Sequence, residues 1–254
     1  MIFVVLPAYN EGPALERLLP RLIAVLQGYR SQIIVVDDGS IDQTATVVRK
    51  YFACGVRLEQ HRQNRGLKEA LRTGLRTALS VARYNDAIVT LDADDTHPPE
   101  IIPQMQQKIA AGCDIVVASR FVPGGKEEGL ALYRKVLSRG AAWLIKSFFR
   151  IDGITDYSCG YRAYRAAFLA KGFDSFGPQL IDSTGFAVAA EILLKLSFLA
   201  PHCAEVPLDL RYDRKIGRSK LPLLKTIAGY LTLILKLKLA QRKLPNLEKT
   251  EVEI

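Results

Sequence analysis

Five short apolar segments alternate with segments of helical periodicity along residues 2–118, and this alternation most constrains the fold. Apolar runs of four or five residues rich in Val and Ile predict buried strands. Strands that alternate with helices form βαβ units and a mostly parallel sheet with helices on both faces. Ligands bind such sheets outside the carboxyl ends of the strands. The predicted strands are residues 2–6, 32–36, 56–59, 87–91 and 114–118, and the predicted helices are residues 14–26, 44–52, 67–82 and 101–110.

The fourth predicted strand runs directly into an acidic segment, with the sequence IVTLDADDTHPPE over residues 88–100. If the chain is still extended there, Asp92 and Asp94 leave the same face and lie side by side. Two like charges so close need a positive partner, and Mg²⁺ or Mn²⁺ is typically held by a few carboxylates together with substrate phosphates. The segment therefore predicts a metal-diphosphate site. The alternative is a solvated acidic turn that caps a helix starting near Pro99.

Other polar groups follow the neighbouring strands at the same expected edge of the sheet. Asp38 follows the second strand, whereas Asp42 fits better as a turn or helix-cap residue. Residues 61–67 form a basic loop, either a plain connection or a ligand contact. Arg120 follows the fifth strand, ahead of a glycine-rich polar loop at residues 124–129 of the kind used as an active-site lid. The motifs GxGxxG and GxxxxGK[ST] are absent, so dinucleotide binding and P-loop hydrolysis lose their usual support.

The net charge of +9 is concentrated near the C-terminus: residues 211–243 contain ten Lys or Arg and one acidic residue, so an anionic partner is expected there.

A helix is predicted over residues 130–149, and it places Arg134 close to the glycine-rich loop. Residues 185–198 predict an apolar helix in which Glu191 needs a cation or hydroxyl partner. Residues 205–212 predict an edge strand.

The last predicted helix, residues 221–243, is apolar with basic ends. Lys225 and Lys236 enclose ten residues, too few to span a bilayer. The pattern favours a helix in the membrane interface. The alternative is a helix that packs on its own domain or on a second copy.

The chain begins with a strand rather than with a secretory signal, so it is expected to stay on the cytoplasmic side of the membrane. Its length and composition are compatible with one large α/β domain. Cysteines at widely spaced positions predict reduced thiols and no zinc site; they are Cys54, Cys113, Cys159 and Cys203.

Seven motifs in order resemble family 2 glycosyltransferases of the GT-A fold, most of all the polyprenyl-phosphate (dolichol-phosphate) mannose and glucose synthases. The resemblance covers residues 2–225, and its motifs are LPAYNEG, VVDDGSIDQT, LDADDTHPPE, ASRFVPGG, GYRAYR, GFAVAAE and GRSKL. It implies a Rossmann-like α/β catalytic domain at residues 1–220. The residue pattern adds an amphipathic membrane-interface helix at residues 221–243 and a tail at residues 244–254.

The resemblance also implies roles for individual residues. Donor binding would involve Pro7, Tyr9, Glu11, Val36, Asp38, Asp92, Ala93 and Asp94. The metal would be held by Asp92 and Asp94, with Thr96 standing where the family often has a Gln ligand. The basic groups for the lipid phosphate and the diphosphate would be Arg120, Arg134, Arg214 and Lys220, and the groups expected to act in catalysis are Asp92, Asp94, Arg120 and Arg134.

The expected reaction is inverting, metal-dependent transfer of a hexose to a polyprenyl phosphate, with mannose from GDP-mannose as the first choice of donor. UDP-glucose, another UDP-sugar or a different acceptor is the alternative. The expected partners are a nucleoside-diphosphate sugar, Mg²⁺ or Mn²⁺, a lipid phosphate and an anionic membrane surface at which the protein is peripheral. A second copy or a membrane protein is a further possible partner, and nucleic acid is not expected.

Two other classes of function compete with this interpretation. Residues 92–96 also match DxDxT, the aspartyl-phosphate signature of haloacid-dehalogenase-type phosphatases. That motif belongs after the first strand of its domain, whereas here it follows the fourth. A non-catalytic module that binds a sugar nucleotide or a membrane would leave the carboxylates without a role.

Overall fold

The computed structural model describes residues 1–129, 132–185, 187–215 and 223–243, with side chains described except at 132–137, 141, 223–227 and 240–243. The strands are β1 Ile2–Ala8, β2 Ser31–Asp37, β3 Val56–Gln60, β4 Ala87–Thr90, β5 Ile115–Ser119, β6 Lys126–Glu128, β7 Arg162–Arg165, β8 Cys203–Pro207 and β9 Asp209–Arg211. The helices are α1 Gly12–Val25, α2 Thr44–Arg49, α3 Leu67–Leu79, α4 Ile102–Ala110, α5 Leu132–Phe148, α6 Ala166–Phe176, α7 Ala187–Ser197 and α8 Leu223–Lys243.

A seven-stranded sheet in the order β3-β2-β1-β4-β7-β5-β8 forms the centre of the described chain. Neighbouring strands are parallel except at β7, which lies antiparallel between β4 and β5. The parallel strands therefore end at one common edge, where β7 begins. Their buried Val, Ile and Leu side chains pack against helices and form the core. The predicted α/β class and mostly parallel sheet are confirmed.

The five strands predicted from apolar runs are present, as are the helices predicted between them. Strand β7 was not predicted, because it is four residues long and has an arginine at each end. Its side chains at positions 162–164 are nevertheless buried. The loop predicted at residues 124–129 contains β6, which pairs with β9 in a second, two-stranded sheet.

Glu191 in α7 has the cationic partner that its burial predicts. Lys195 Nζ lies 2.7 Å from Glu191 Oε1, one helical turn away. The backbone N–H groups of Asp182 and Ser183 donate to Oε2 over 2.7 and 2.6 Å. The buried carboxylate thus holds the segment that precedes α7.

The C-terminal helix α8 packs on its own domain, against α7 and α5. It buries four apolar or aromatic side chains at helical spacing: Tyr230, Leu233, Ile234 and Leu237. Its outer face exposes Leu231, Leu235 and Leu239, and the neighbouring α5 exposes Trp143 and Phe148. Packing on the domain was the alternative expectation, and it leaves a second apolar stripe uncovered in the described structure.

Within the ranges described, no helix combines the length and apolar character needed to cross a membrane. The tail at residues 244–254 lies outside those ranges. The division into residues 1–220, 221–243 and 244–254 stays a prediction.

Candidate active site

The common edge of the sheet brings together most of the predicted donor residues. Pro7 and Val36 are register partners in β1 and β2. Asp38 follows β2, and its backbone N–H donates to the Ala8 carbonyl over 2.8 Å. Tyr9 and Glu11 are half-buried in the segment that leads into α1. The edge therefore groups β1, β2 and β4 around the acidic segment, as predicted.

The acidic segment is a buried loop. Strand β4 ends at Thr90, so the extended geometry assumed for Asp92 and Asp94 does not persist. Asp94 is 7% exposed, and its Oδ1 accepts hydrogen bonds from Thr96 Oγ at 2.6 Å and Thr96 N at 3.2 Å. Its Oδ2 is paired with Lys215 Nζ. The Asp92 N–H donates to His97 Nδ1 over 3.1 Å.

The helix-cap interpretation of this segment is wrong for the described residues. Neither the 3-10 turn Pro99–Ile101 nor α4 receives a side-chain hydrogen bond at its N-cap there. Asp94, Asp95 and Thr96 are buried rather than solvated. Asp94 is thus buried although it caps no helix, and a buried carboxylate at a sheet edge is a candidate ligand-binding group.

The two predicted metal ligands differ in electrostatic environment. Burial raises the pKa of Asp92, and the nearby Asp94 charge adds to this increase, against the opposing effects of His97 and Lys215. Burial also acts to raise the pKa of Asp94, but Lys215 and His97 together with the Lys215 and Thr96 hydrogen bonds lower it below its ordinary value. The surroundings therefore favour the ionised form of Asp94 more than that of Asp92.

Asp95 has a structural role that the sequence did not reveal. Its backbone has a φ of 64°, and its side chain meets α1. Arg21 Nη1 lies 2.7 Å from Asp95 Oδ1, and Arg17 Nε lies 3.4 Å from Oδ2. Arg21 also pairs with Glu100 over 2.8 Å. These ion pairs fix the acidic loop to α1.

Arg120 lies in a largely buried ion pair. Its Nε and Nη2 lie 2.7 and 2.8 Å from the two carboxylate oxygens of Asp156, which is fully buried. Ser158 Oγ accepts from Nη2 over 2.7 Å, and Glu127 Oε1 from Nη1 over 3.3 Å. These neighbours accept from most of the guanidinium N–H groups of Arg120. Contact of Arg120 with a phosphate stays a prediction.

The charges in this cluster shift one another's pKa. Burial acts to raise the pKa of Asp156, but the Arg120 charge and hydrogen bonds hold it below its ordinary value. Burial raises the pKa of Cys159 to about 12, so this thiol is a poor nucleophile. Burial also raises the pKa of Tyr230 in α8 to about 12, and the charges of Arg120 and Asp156 have smaller effects on this pKa.

Asp38 anchors the loop that follows β3. It is 3% exposed, and its Oδ1 lies 2.6 Å from His61 Nδ1. The backbone N–H groups of Arg65 and Gly66 donate to the same carboxylate over 2.9 and 2.7 Å. Residues 61–66 are therefore held by Asp38, and contact of Asp38 with a nucleoside stays a prediction.

Gly39 permits this loop to pack close to the sheet edge. Its φ is +71°, and an added Cβ would lie 2.3 Å from the Gln63 carbonyl carbon. We expect Gly39→Ala to lower the free energy of unfolding by roughly 1–3 kcal/mol, because backbone must shift at a strained φ. Gly28→Ala is the control: its φ is +89° with nothing within 4 Å, so it should cost less. Urea denaturation of both variants measures the difference, and equal costs would contradict the role of the Gln63 contact.

Asp42 has the structural role that was preferred for it. Its Oδ1 accepts from the Thr44 N–H over 2.9 Å, and its Oδ2 from the Gly12 N–H over 3.1 Å. Burial acts to raise the pKa of Asp42, but the hydrogen bonds from Thr44 and Gly12 lower it overall. One carboxylate thus stabilises the starts of α1 and α2.

Only part of the predicted set of phosphate-binding basic residues falls within the described structure. Arg134 lies in α5 with its side chain outside the described residues, and Lys220 lies wholly outside them. Arg214 is half-buried in the turn Tyr212–Arg214, and its carbonyl accepts from Arg17 Nη2 over 2.7 Å. The predicted gathering of these groups around a phosphate stays a prediction.

Sequence reasoning missed three groups in the site: Lys215, His97 and Asp156. Lys215 stood among several basic residues after β9 with no feature to distinguish it. His97 packs on Tyr161 with ring centroids 5.1 Å apart, a contact that depends on β7. Asp156 could have been noticed in the sequence as a candidate partner for a buried cation, because it is the only acidic residue of the aromatic-rich segment 156–165.

Comparison with known proteins agrees with this geometry. The family description "Glycosyl transferase family 2" matches residues 3–173. The chain is 34% identical over 238 residues to a dolichol-phosphate mannosyltransferase of Pyrococcus furiosus, covering 93% of this chain and 63% of that relative. It is 31% identical to an undecaprenyl-phosphate mannosyltransferase of Micrococcus luteus, covering 87% of each chain.

Among solved structures, glucosyl-3-phosphoglycerate synthase from Mycobacterium tuberculosis, in complex with Mn²⁺, uridine diphosphate and phosphoglyceric acid, has a similar fold. The TM-score is 0.65 at 21% identity, over 93% of this chain and 77% of the other. This likeness supports the GT-A-like fold class. With the match over residues 3–173 and the two relatives above 30% identity, the chain belongs to glycosyl transferase family 2 and is a glycosyltransferase.

Proposed function

We propose that this enzyme transfers mannose from GDP-mannose to a polyprenyl phosphate, with inversion at the anomeric carbon and with a divalent cation at Asp92 and Asp94. The observation that carries the proposal is the loop after β4, at the carboxyl edge of the sheet, which contains Asp92 and the buried Asp94 paired with Lys215. The mannosyltransferase names of the two relatives support the choice of sugar and acceptor.

The side chains present fit a hard divalent cation. Among the described residues no group of three or more His, Cys, Asp or Glu side chains converges as a metal cage. Two carboxylates together with substrate phosphates are what Mg²⁺ typically uses. When bound, the cation would supply positive charge for the departing diphosphate. Thr96 Oγ donates to Asp94 Oδ1, which supports a role for Thr96 in orienting Asp94; binding of the cation by Thr96 itself stays a prediction.

The acceptor requires positive groups more than a general base. A lipid phosphate with a second pKa near 6 is mostly ionised at neutral pH. Arg214, Lys220 and Arg134 are the candidates to position it, while Arg120 is held by Asp156 and Glu127. Attack from the face opposite the diphosphate would invert the anomeric centre.

A donor panel tests the proposal. The full chain is incubated with Mn²⁺, a short-chain polyprenyl phosphate and labelled GDP-mannose, UDP-glucose or UDP-GlcNAc, and the lipid-linked sugar is extracted into organic solvent. We expect labelled lipid from GDP-mannose. If only a UDP-sugar gave product, the proposed donor GDP-mannose would be wrong and the rest of the proposal would stand. Release of free phosphate from a generic phosphomonoester without sugar transfer would instead support the DxDxT phosphatase alternative.

The exposed stripe of α8 leads us to propose that the enzyme acts at an anionic membrane surface. Replacing Leu231, Leu235 and Leu239 by Ser should reduce sedimentation with phosphatidylglycerol vesicles by about tenfold or more, because each Leu contributes burial energy in the membrane interface. The control is Val81→Ser, an exposed apolar residue beyond α3, which should bind like wild type. Equal sedimentation of the triple variant and the control would overturn this part of the proposal.

A further inference from the structure

Lys215 is a basic residue of the site to which neither the motif resemblance nor the comparisons assign a role. It follows the turn Tyr212–Arg214 and pairs through Nζ with Asp94 Oδ2. The Lys215 side chain is 18% exposed and that of Asp94 10%, so solvent screens the pair weakly. Because Asp92 and Asp94 repel each other when both are ionised, a nearby positive charge stabilises them. In the protein alone, Lys215 supplies that charge.

Two contacts hold the segment around Lys215 against the acidic loop without using Asp94. The Arg211 N–H donates to the Thr96 carbonyl over 3.0 Å. Arg17 bridges the two segments, with Nε 3.4 Å from Asp95 Oδ2 and Nη2 2.7 Å from the Arg214 carbonyl. If the pair between Lys215 and Asp94 opened, these contacts would keep the lysine beside the loop.

We propose that Lys215 competes with the divalent cation for Asp94 and then positions the donor diphosphate. The inference rests on the proposed function, since it requires a cation and a nucleoside diphosphate at this loop. Asp94 Oδ2 cannot serve the ammonium and the cation equally well at the same time. The displaced ammonium has three N–H donors, no acceptor and a flexible four-carbon stem, and its neighbours keep it within reach of an incoming phosphate.

Competition predicts opposite effects of one substitution on two ligands. In Lys215→Met and Lys215→Gln, Mn²⁺ alone should bind about five- to tenfold more tightly than in wild type, because the competing charge is gone. With saturating Mn²⁺, GDP should bind both variants about tenfold more weakly, because a phosphate contact is lost. Electron paramagnetic resonance of free Mn²⁺ measures the first affinity, and equilibrium dialysis of labelled GDP measures the second.

Two controls separate competition from general effects of charge. Lys215→Arg keeps a positive group and should stay close to wild type in Mn²⁺ affinity. Lys126→Met removes an exposed charge from β6, the strand paired with β9, and should change neither affinity. Thermal melts with and without Mn²⁺ add a third readout: the cation should stabilise Lys215→Met more than wild type, because it binds the folded variant more tightly.

The outcomes distinguish this inference from the function on which it rests. Equal Mn²⁺ affinity in wild type, Lys215→Met and Lys215→Gln would overturn competition and leave the proposed metal site intact. Unchanged GDP affinity would overturn the positioning role. Failure of every variant and of wild type to bind Mn²⁺, even with GDP present, would remove the metal site and this inference together.

Discussion

Asp94→Asn should lower the rate of sugar transfer roughly 10³-fold while the protein stays folded. Asparagine keeps the shape of the side chain and can still accept the Thr96 hydrogen bond, but it lacks the negative charge that holds a cation against the diphosphate. Asp94 is also the carboxylate whose pKa Lys215 and His97 lower, despite burial, so it is ionised throughout the neutral range. Labelled lipid formed per minute with the preferred donor measures the loss, and circular dichroism verifies folding.

Asp95→Asn is the matched control for this experiment. Asp95 is the next residue and is also buried, but its carboxylate pairs with Arg17 and Arg21, whereas that of Asp94 pairs with Lys215. The variant should melt at a lower temperature and keep its transfer rate within about tenfold, because its lost ion pairs are structural. If Asp95→Asn lost as much activity as Asp94→Asn, the separation of the two carboxylates into ligand and anchor would be wrong.

The different roles of Asp94 and Asp95 could be predicted only in part from the sequence. The apolar run before them predicts a strand, and the strand places the carboxylates at the ligand-binding edge of the sheet. That much depends on local pattern. Which carboxylate faces the site depends on a positive φ at Asp95 and on arginines in α1 that are 74 and 78 residues away in sequence. Periodicity contains no information on such contacts.

Strand β7 illustrates the same limit for the fold. Four residues with two arginines have no strand signal of their own, yet β4 and β5 pair with them on both sides. Arg162 is fully buried, and its guanidinium offsets part of the cost of this burial by donating to the carbonyls of Tyr157 and Ala189. The antiparallel insertion then brings Asp156 and Ser158 to Arg120. The resemblance to the family predicted Arg120 as a site residue, but its ion pair could be seen only in the fold.

That ion pair leads to the largest expected loss of stability. Asp156→Ala should lower the free energy of unfolding by about 3–5 kcal/mol, because it leaves the largely buried Arg120 guanidinium without its bidentate partner. The carboxylate also accepts from Ser158 and Cys159 backbone N–H groups, at 3.2 and 3.1 Å, which lose their acceptor. For a chain of this size the melting temperature should fall by about 10 °C or more. Differential scanning calorimetry at neutral pH measures the change.

The control and the pH dependence of this effect test its electrostatic origin. Asp213→Ala removes a similar bidentate contact, with Arg211, but that carboxylate is 43% exposed and screened by solvent, so the loss of stability should be much smaller than for Asp156→Ala. The pKa of Asp156 is lowered in the folded state from its ordinary value of 3.8, so its contribution is complete above that value. It is lost as the pH falls below 3.8 through the folded-state pKa, because the protonated carboxyl no longer pairs with Arg120. The stability difference between wild type and Asp156→Ala should therefore be constant from neutral pH down to about 5 and shrink in stronger acid. A difference that did not shrink in acid would mean that packing, rather than the charge pair, stabilises the Arg120 cluster.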